Sequence, residues 1–261
     1  MLPKKFKPSH IPNSKLIRLG SIDDGGYVVP KAIFQDIKRL ISFGISDNWD
    51  FEKDLVLKAK CGVDAYDYSI NLNFWIKRFM DDLLKFLQLK IFKPKKIYKM
   101  FKFLDFIYFF YLKKDNNFYL KKIGKHKNET SFIKTVSKYK DEIFLKIDIE
   151  GSEYELLPDL IKFSNKSLIG IVIEFHHVSI NIKKIIRFID KIKKNLALVH
   201  IHGNNYSVKS SKLDPEAIEM TFVNVKYLSK KNIKNIKRYP IKNLDFPNSK
   251  RSKDTLIRFK K

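Results

Sequence analysis

The sequence predicts an α/β domain built on a doubly wound, mostly parallel sheet, with a β-hairpin before it and a helical insert within it. Three observations carry that prediction. Short apolar runs alternate with helix-period segments along most of the chain. The runs are apolar at successive positions rather than at every second one, as expected of strands covered on both faces. Several of them end in Gly, Asp, Glu or His. Ligands on such sheets bind at the carboxyl ends of the strands, near the point where strand order reverses.

The elements follow in order. Residues 1–15 read as a tail with Pro3, Pro8 and Pro12. Apolar runs at 16–19 and 27–29 flank Asp23-Asp24-Gly25-Gly26, a hairpin signal. Pro30 suits the first turn of a helix reaching about Lys38. A first core strand, 40–44, ends in Gly44, and a helix follows over 49–60. A second strand, 61–67, ends in Asp67. The third strand is expected at 118–123, followed by a helix over 129–140 with Asn128 placed to cap it. The fourth strand, 143–148, precedes a helix over 153–163, and the fifth spans 168–175. An amphipathic helix over 182–194 carries Ile185, Ile186, Ile189 and Ile192 at helical spacing. Strands six and seven fall at 196–201 and 218–227. Residues 229–261 are basic, with a last short strand near 255–259. No internal repeat is visible.

Residues 71–117 break this rhythm. They are rich in aromatics and Lys, with Pro94 as the one breaker, and read as two or three helices inserted between the second and third strands. The run 106–112 is too short to span a bilayer. A satellite core, a lid, a dimer face and an element lying on an anionic membrane surface all remain open for this insert. One domain over 1–261 accommodates the whole pattern.

Composition sets outer limits. A hydrophobic content of 44% in 261 residues excludes a disordered chain. The single cysteine excludes a disulfide framework and a cysteine-built zinc site, and it suits a reducing compartment, with cytoplasm as the expectation. The N-terminus lacks a signal-peptide core. The formal charge is +25 and nearly all of it is Lys. Either compositional drift toward Lys, Ile and Asn or a polyanionic partner explains it. Motifs of single-stranded RNA readers are missing.

Five stretches carry candidate chemistry. Residues 41–47 run from a strand through Gly44 toward a helix, so backbone N–H groups can approach a ligand. Residues 63–67 end in Asp67, whose two carboxylate oxygens match the spacing of a ribose diol; a turn-capping role is the plain alternative. Residues 144–155 deliver Asp148 and Glu150 to the top of the sheet on one face, where two carboxylates need a proton, an amine or a metal between them. Ser152 or Glu153 then serves as a helix cap. Residues 173–177 place Glu174 and His176 on one face, and His is the usual general base near neutral pH. Residues 200–205 carry His200 and His202, which could bind substrate, join a metal, or pack under a loop.

Taken together these stretches resemble the FkbM-type methyltransferases, a branch of the class I S-adenosylmethionine-dependent enzymes. The strongest match is LKIDIEGSEYELL, residues 145–157. ISFGISDNWDFEKDL (41–55), VDAYDYS (63–69), DDGGYVVP (23–30), IVIEFHH (171–177), HIHGNN (200–205) and YPIKNLDFPN (239–248) are also similar to bacterial surface-polysaccharide members. The likeness covers roughly 16–70 and 118–250 and omits the insert. In the first loop this chain has Gly44-Ile45-Ser46-Asp47 where many members carry a Gly-rich turn.

The resemblance implies a Rossmann-like, seven-stranded methyltransferase sheet that transfers a methyl group from S-adenosylmethionine to a sugar hydroxyl. The acceptor would be a nucleotide-activated sugar or a capsular or surface polysaccharide precursor. It implies Phe43, Gly44, Asp47, Asp67, Tyr68, Ile123, Gly124 and Asp148 around the cofactor, and His176, Asp148 and Glu150 as catalytic groups. Tyr27, His177, His202 and Asn204 would meet the substrate. By analogy with sugar O-methyltransferases of the same core, Asp148, Glu174 and His176 would hold a divalent metal such as Mg. An RNA methyltransferase and an inactive docking module remain as alternatives, with nucleic acid disfavoured as a partner. A homodimer and peripheral contact with the inner membrane through 71–117 stay open.

Overall fold

β-Branched and aromatic residues dominate the strands, and most strand positions are buried, which is what drives them into a central layer. The computed structural model describes residues 1–87, 101–140, 142–164, 168–207, 215–228 and 238–260. A hairpin of β1 (Leu16–Leu19) and β2 (Tyr27–Pro30) stands before the sheet. The sheet itself holds β3 (Arg39–Phe43), β4 (Gly62–Tyr66), β5 (Asn116–Tyr119), β6 (Ile143–Ile147), β7 (Leu168–Phe175), β8 (Leu196–Asn204) and β9 (Ala217–Asn224).

Strand order is β5-β4-β3-β6-β7-β9-β8, all parallel except β9, which runs antiparallel between β7 and β8. The chain winds outward from β3 to one edge and then restarts at β6 on the other side. The reversal lies between β3 and β6, so a crevice opens above their carboxyl ends. β6 and β7 are buried at every position, as strands covered on both faces must be.

The helices are α1 (Asp50–Ala59), α2 (Leu72–Leu87), α3 (Lys102–Ile107), α4 (Phe132–Val136), α5 (Glu153–Phe163) and α6 (Val178–Ile192). α3 continues into a π-type turn, Tyr108–Leu112. α6 buries Val178, Asn181, Ile185, Phe188, Ile189 and Ile192, the three-and-four spacing of one face. A buried core runs from Leu2 through the sheet to Ile257. Thr221 Oγ1 donates to the Val28 carbonyl at 2.7 Å and ties the hairpin to β9.

Several boundaries differ from expectation for local reasons. Pro30 ends β2, paired with Leu16, and only a 3-10 turn (Lys31–Ile33) follows in place of a helix to Lys38. β5 covers 116–119, not 118–123, and Ile123 makes only an isolated bridge to Thr130. That bridge holds residue 130 extended, with Gly124 N donating to its carbonyl at 3.1 Å. The helix therefore starts after Ser131 and is five residues long, and Asn128 is not its cap. α6 begins at Val178, directly after the left-handed His177, rather than at 182. Near the C-terminus Ile257 and Phe259 form isolated bridges to Tyr239 and Leu2, not a strand. The N-terminal tail is anchored, with Leu2, Phe6 and Ile11 buried. Of the insert, 88–100 lies outside the described residues, as does 229–237 of the basic segment.

Candidate active site

Gly44 leaves β3 with φ +78°, and a Cβ there would sit 1.7 Å from the Asp148 carbonyl oxygen. Asp148 N in turn donates to the Phe43 carbonyl at 2.9 Å. The two loops at the strand-order reversal thus touch backbone to backbone, which only glycine permits.

Asp67, just beyond β4, fixes the same loop. Its Oδ2 accepts from Ile45 N (2.9 Å) and Ser46 N (2.8 Å), and its Oδ1 from Ser69 N (2.7 Å) and Ser69 Oγ (2.6 Å). Those four bonds fill both carboxylate oxygens. The expected free diol acceptor is instead a staple between two loops, and a ribose would reach it only by displacing Ser69.

Around this staple lies an open cleft of about 840 Å3, solvent at its mouth included. Gly44, Ser46, Tyr66, Tyr68, Ile123 and Ile149 line it, and Asp67, Asp148 and Glu150 bring carboxylates to it. Tyr66 stacks on Tyr119 at 4.6 Å between centroids. The acids closing β4 and following β6 therefore share one cavity.

Three expected cofactor residues lie elsewhere. Phe43 is fully buried, packed on Tyr66 and Phe132. Asp47 turns away to Arg78 of α2 at 2.6 Å. Gly124 is packed against Glu129, whose carboxylate a Cβ would strike at 2.0 Å.

Asp148 also borders a second, buried group of polar side chains. Tyr27 Oη donates to its Oδ2 at 3.0 Å. His176 Nε2 lies 3.9 Å from Asp148, 3.5 Å from Glu150 and 3.9 Å from Glu174, and its Nδ1 lies 3.4 Å from Glu153. Glu150 follows the strand end with φ +52° and is exposed, so strand alternation does not place it beside Asp148. Glu153 accepts from Gly151 N (2.8 Å) and His176 N (2.7 Å), so one buried carboxylate ties the turn before α5 to the backbone of the histidine. Ser152 makes no side-chain cap bond.

Electrostatics follow from burial. Burial raises the Asp148 carboxyl against the pull of Lys146 and His176. Burial, then the charges of Asp148 and Glu219, lifts Glu174 well above the usual carboxyl range. For His176 burial opposes the charge, but Glu153, Asp148 and Glu150 outweigh it and raise the imidazole. Single ligand atoms of Asp148, Glu174 and His176 also lie within 4.8 Å of one another, a spacing that fits one cation. Two carboxylates and an imidazole suit Mn or another borderline divalent ion better than Mg, which prefers an all-oxygen shell.

The remaining expected substrate residues separate. Asn204 donates to Glu174 Oε1 at 2.8 Å and so positions that acid. His177 is exposed at the start of α6, near Gly151. His202 is buried between Glu219 (3.0 Å) and Asp254 (2.9 Å), with both ring nitrogens spent, so it is not a substrate contact. His200 likewise pairs with Asp245 at 3.0 Å. Burial works against the His202 charge, but Glu219 and Asp254 prevail and push its pKa up to about 10. That value exceeds the ordinary one of about 6.5. Its stabilising contribution is thus complete below the ordinary value and is lost as pH rises through about 10. Urea titrations should show wild type losing stability across that window. His202→Gln should lose far less, and equal slopes would show that His202 is neutral when folded.

Residue reasoning missed a buried layer beneath the cleft. Lys146 Nζ sits 3.2 Å from Glu52 and donates to the Gly44 carbonyl at 2.7 Å, while Ser42 Oγ donates to Glu52 at 2.5 Å. A single Lys inside the apolar strand 143–147 is the signal that could have found it.

No family model and no curated protein matches this chain. Among solved structures it is similar to an rRNA methylase from Streptococcus thermophilus (7% identity, 74% of this chain and 93% of that one, TM-score 0.39). It is similar to M. capricolum TrmK in complex with S-adenosyl-homocysteine (9%, 76% and 70%, 0.36). A spermidine synthase from Thermotoga maritima is alike to the same degree (12%, 80% and 64%, 0.39). Any functional reading stands on the site's own residues.

Proposed function

We propose that the chain is an S-adenosylmethionine-dependent O-methyltransferase whose acceptor is a sugar hydroxyl. The supporting observation is the adjacency of two compartments across Asp148. On one side is the cleft lined by Gly44, Tyr66, Tyr68 and three carboxylates. On the other is His176, ringed by Asp148, Glu150, Glu153 and Glu174. A sulfonium cofactor is cationic, and the cleft acids suit that charge. Its apolar and aromatic walls, Ile123, Ile149 and Tyr68, offer a nucleobase a stacking surface.

The hydroxyl oxygen attacks the methyl carbon, the C–S bond breaks to leave a thioether, and the hydroxyl proton passes to a base. His176 Nε2 is the group placed for that proton, with Glu153 holding the backbone of the histidine and lying 3.4 Å from Nδ1. Asp148 orients the acceptor together with Tyr27. If a divalent ion is held by Asp148, Glu174 and His176, it would lower the hydroxyl's pKa, and His176 would then be a ligand rather than the base.

Two measurements test this. Calorimetry with S-adenosylmethionine should show binding, and incubation with a panel of nucleotide-linked sugars should add the mass of one methyl group. His176→Ala should bind cofactor as wild type does and turn over about 10²- to 10⁴-fold more slowly. Activity that survives chelation assigns the imidazole as base; activity lost to chelation and restored by Mn assigns the metal. No cofactor binding at millimolar concentration would leave a docking module. The charge of +25 and exposed Lys121 at the cleft favour one second reading, an RNA acceptor. A steep loss of RNA affinity with salt would support it.

A further inference from the structure

A second set of acids meets beside the hairpin turn. Glu174 of β7 and Glu219 of β9 stand directly opposite each other across that antiparallel pair, and each is only 4% exposed. Like charges in opposite register are destabilising. The turn between β1 and β2 adds a third carboxylate, Asp24, from the solvent side. Single oxygens of the three lie within 4.8 Å of one another. Ligands on a coordination shell of about 2.3–2.6 Å radius are spaced in that way.

The surrounding side chains do not balance this charge. Glu219 gives its Oε2 to His202 Nδ1 at 3.0 Å, and Glu174 gives its Oε1 to Asn204 Nδ2 at 2.8 Å. His176 Nε2 comes no nearer to Glu174 than 3.9 Å. Lys250 pairs with Asp23 rather than Asp24. Among the described residues no Lys or Arg forms an ion pair with any of the three acids.

Asn248 supplies an independent sign. Its side chain is 2% exposed and sits between two of the acids, with Nδ2 donating to Asp24 Oδ1 at 2.8 Å and to Glu219 Oε1 at 2.7 Å. The Oδ1 of the same amide is buried there with no hydrogen-bond partner. A buried acceptor without a donor is costly, and proteins rarely keep one. A cation, or a water in its shell, satisfies that oxygen. The donors are three carboxylates and an amide oxygen, with no sulfur and no ring nitrogen, so the set selects a hard ion. Asp24 is exposed, so the site opens to solvent at its edge.

We propose that Asp24, Glu174, Glu219 and the Asn248 amide oxygen form a binding site for one hard divalent cation of the Ca or Mg class. The site shares Glu174 with the Asp148–Glu174–His176 group but does not need it, and it stands without the methyl-transfer reading.

Calorimetry of the chelator-treated full chain with CaCl2 and, separately, MgCl2 tests this in the absence of cofactor and acceptor. At least one of the two should bind saturably below about 1 mM and raise the thermal melt. Asp24→Asn, at an exposed position, should weaken that binding about tenfold or more. Asn248→Ala removes Oδ1 and should do the same, which keeps the test alive should the first variant fail to fold. His176→Ala should bind the ion as wild type does. No saturable binding of either ion, or wild-type binding by the folded Asp24 and Asn248 variants, overturns the proposal. So does binding that is lost in His176→Ala and kept in Asp24→Asn, which would place the ion at Asp148.

Discussion

Replacing Gly44 with alanine is expected to cost about 3–5 kcal/mol and to abolish ligand binding in the cleft. The side chain would have to share space with the Asp148 carbonyl oxygen, 1.7 Å from the new carbon, in a backbone conformation of φ +78°. Relief requires β3 and β6 to part at their carboxyl ends, where Asp148 N is bonded to the Phe43 carbonyl. Gly151→Ala is the control. Its φ is +101°, but the added carbon would meet the His177 ring at 3.5 Å (Cδ2) and 3.8 Å (Nε2), ordinary contact. That variant should lose the conformational part alone, about 1–2 kcal/mol. Urea denaturation of both proteins separates strain from collision, and equal losses would remove the collision at Gly44.

Lys146→Met should be the next most damaging change, at about 3–5 kcal/mol. Lys146 and Glu52 are both buried, 3.2 Å apart, and the substitution strands a carboxylate with only Ser42 as donor. Burial alone would lower the Lys146 pKa, yet Glu52 and then Asp148 raise it, so the lysine keeps its charge. Adding Glu52→Gln to Lys146→Met should recover most of the loss, because the amide oxygen still accepts from Ser42 and no charge remains. A double-mutant cycle in urea reads the coupling. A single-variant loss below about 1 kcal/mol would mean that Glu52 does not depend on this lysine.

Much of the fold was legible because burial on both faces leaves unbroken apolar runs: β7 and α5 fall where the runs and periodicity placed them. Boundaries set by contacts distant in sequence were not. The Ile123–Thr130 bridge shortens the helix after β5, and the pairing of Pro30 with Leu16 removes the one expected after β2. The site divides the same way. Gly44, Asp67, Asp148 and Glu150 do meet at one cleft because strand ends converge there. What Asp67, His202 and Asp47 do with their charge depends on Ser69, Asp254 and Arg78, and no local pattern names those partners. Glu153 was expected as a cap, but it binds Gly151 N ahead of the helix and His176 N, 23 positions away.

The Arg78–Asp47 pair joins α2 to the residue next to Ser46, which lines the cleft. A ligand that orders that loop is thereby linked to the placement of α2, and any such linkage is reciprocal. A solvent-facing pair of this kind is worth under about 1 kcal/mol, which caps the mutual effect near fivefold. A linkage of that size is too weak to act as an on-off switch.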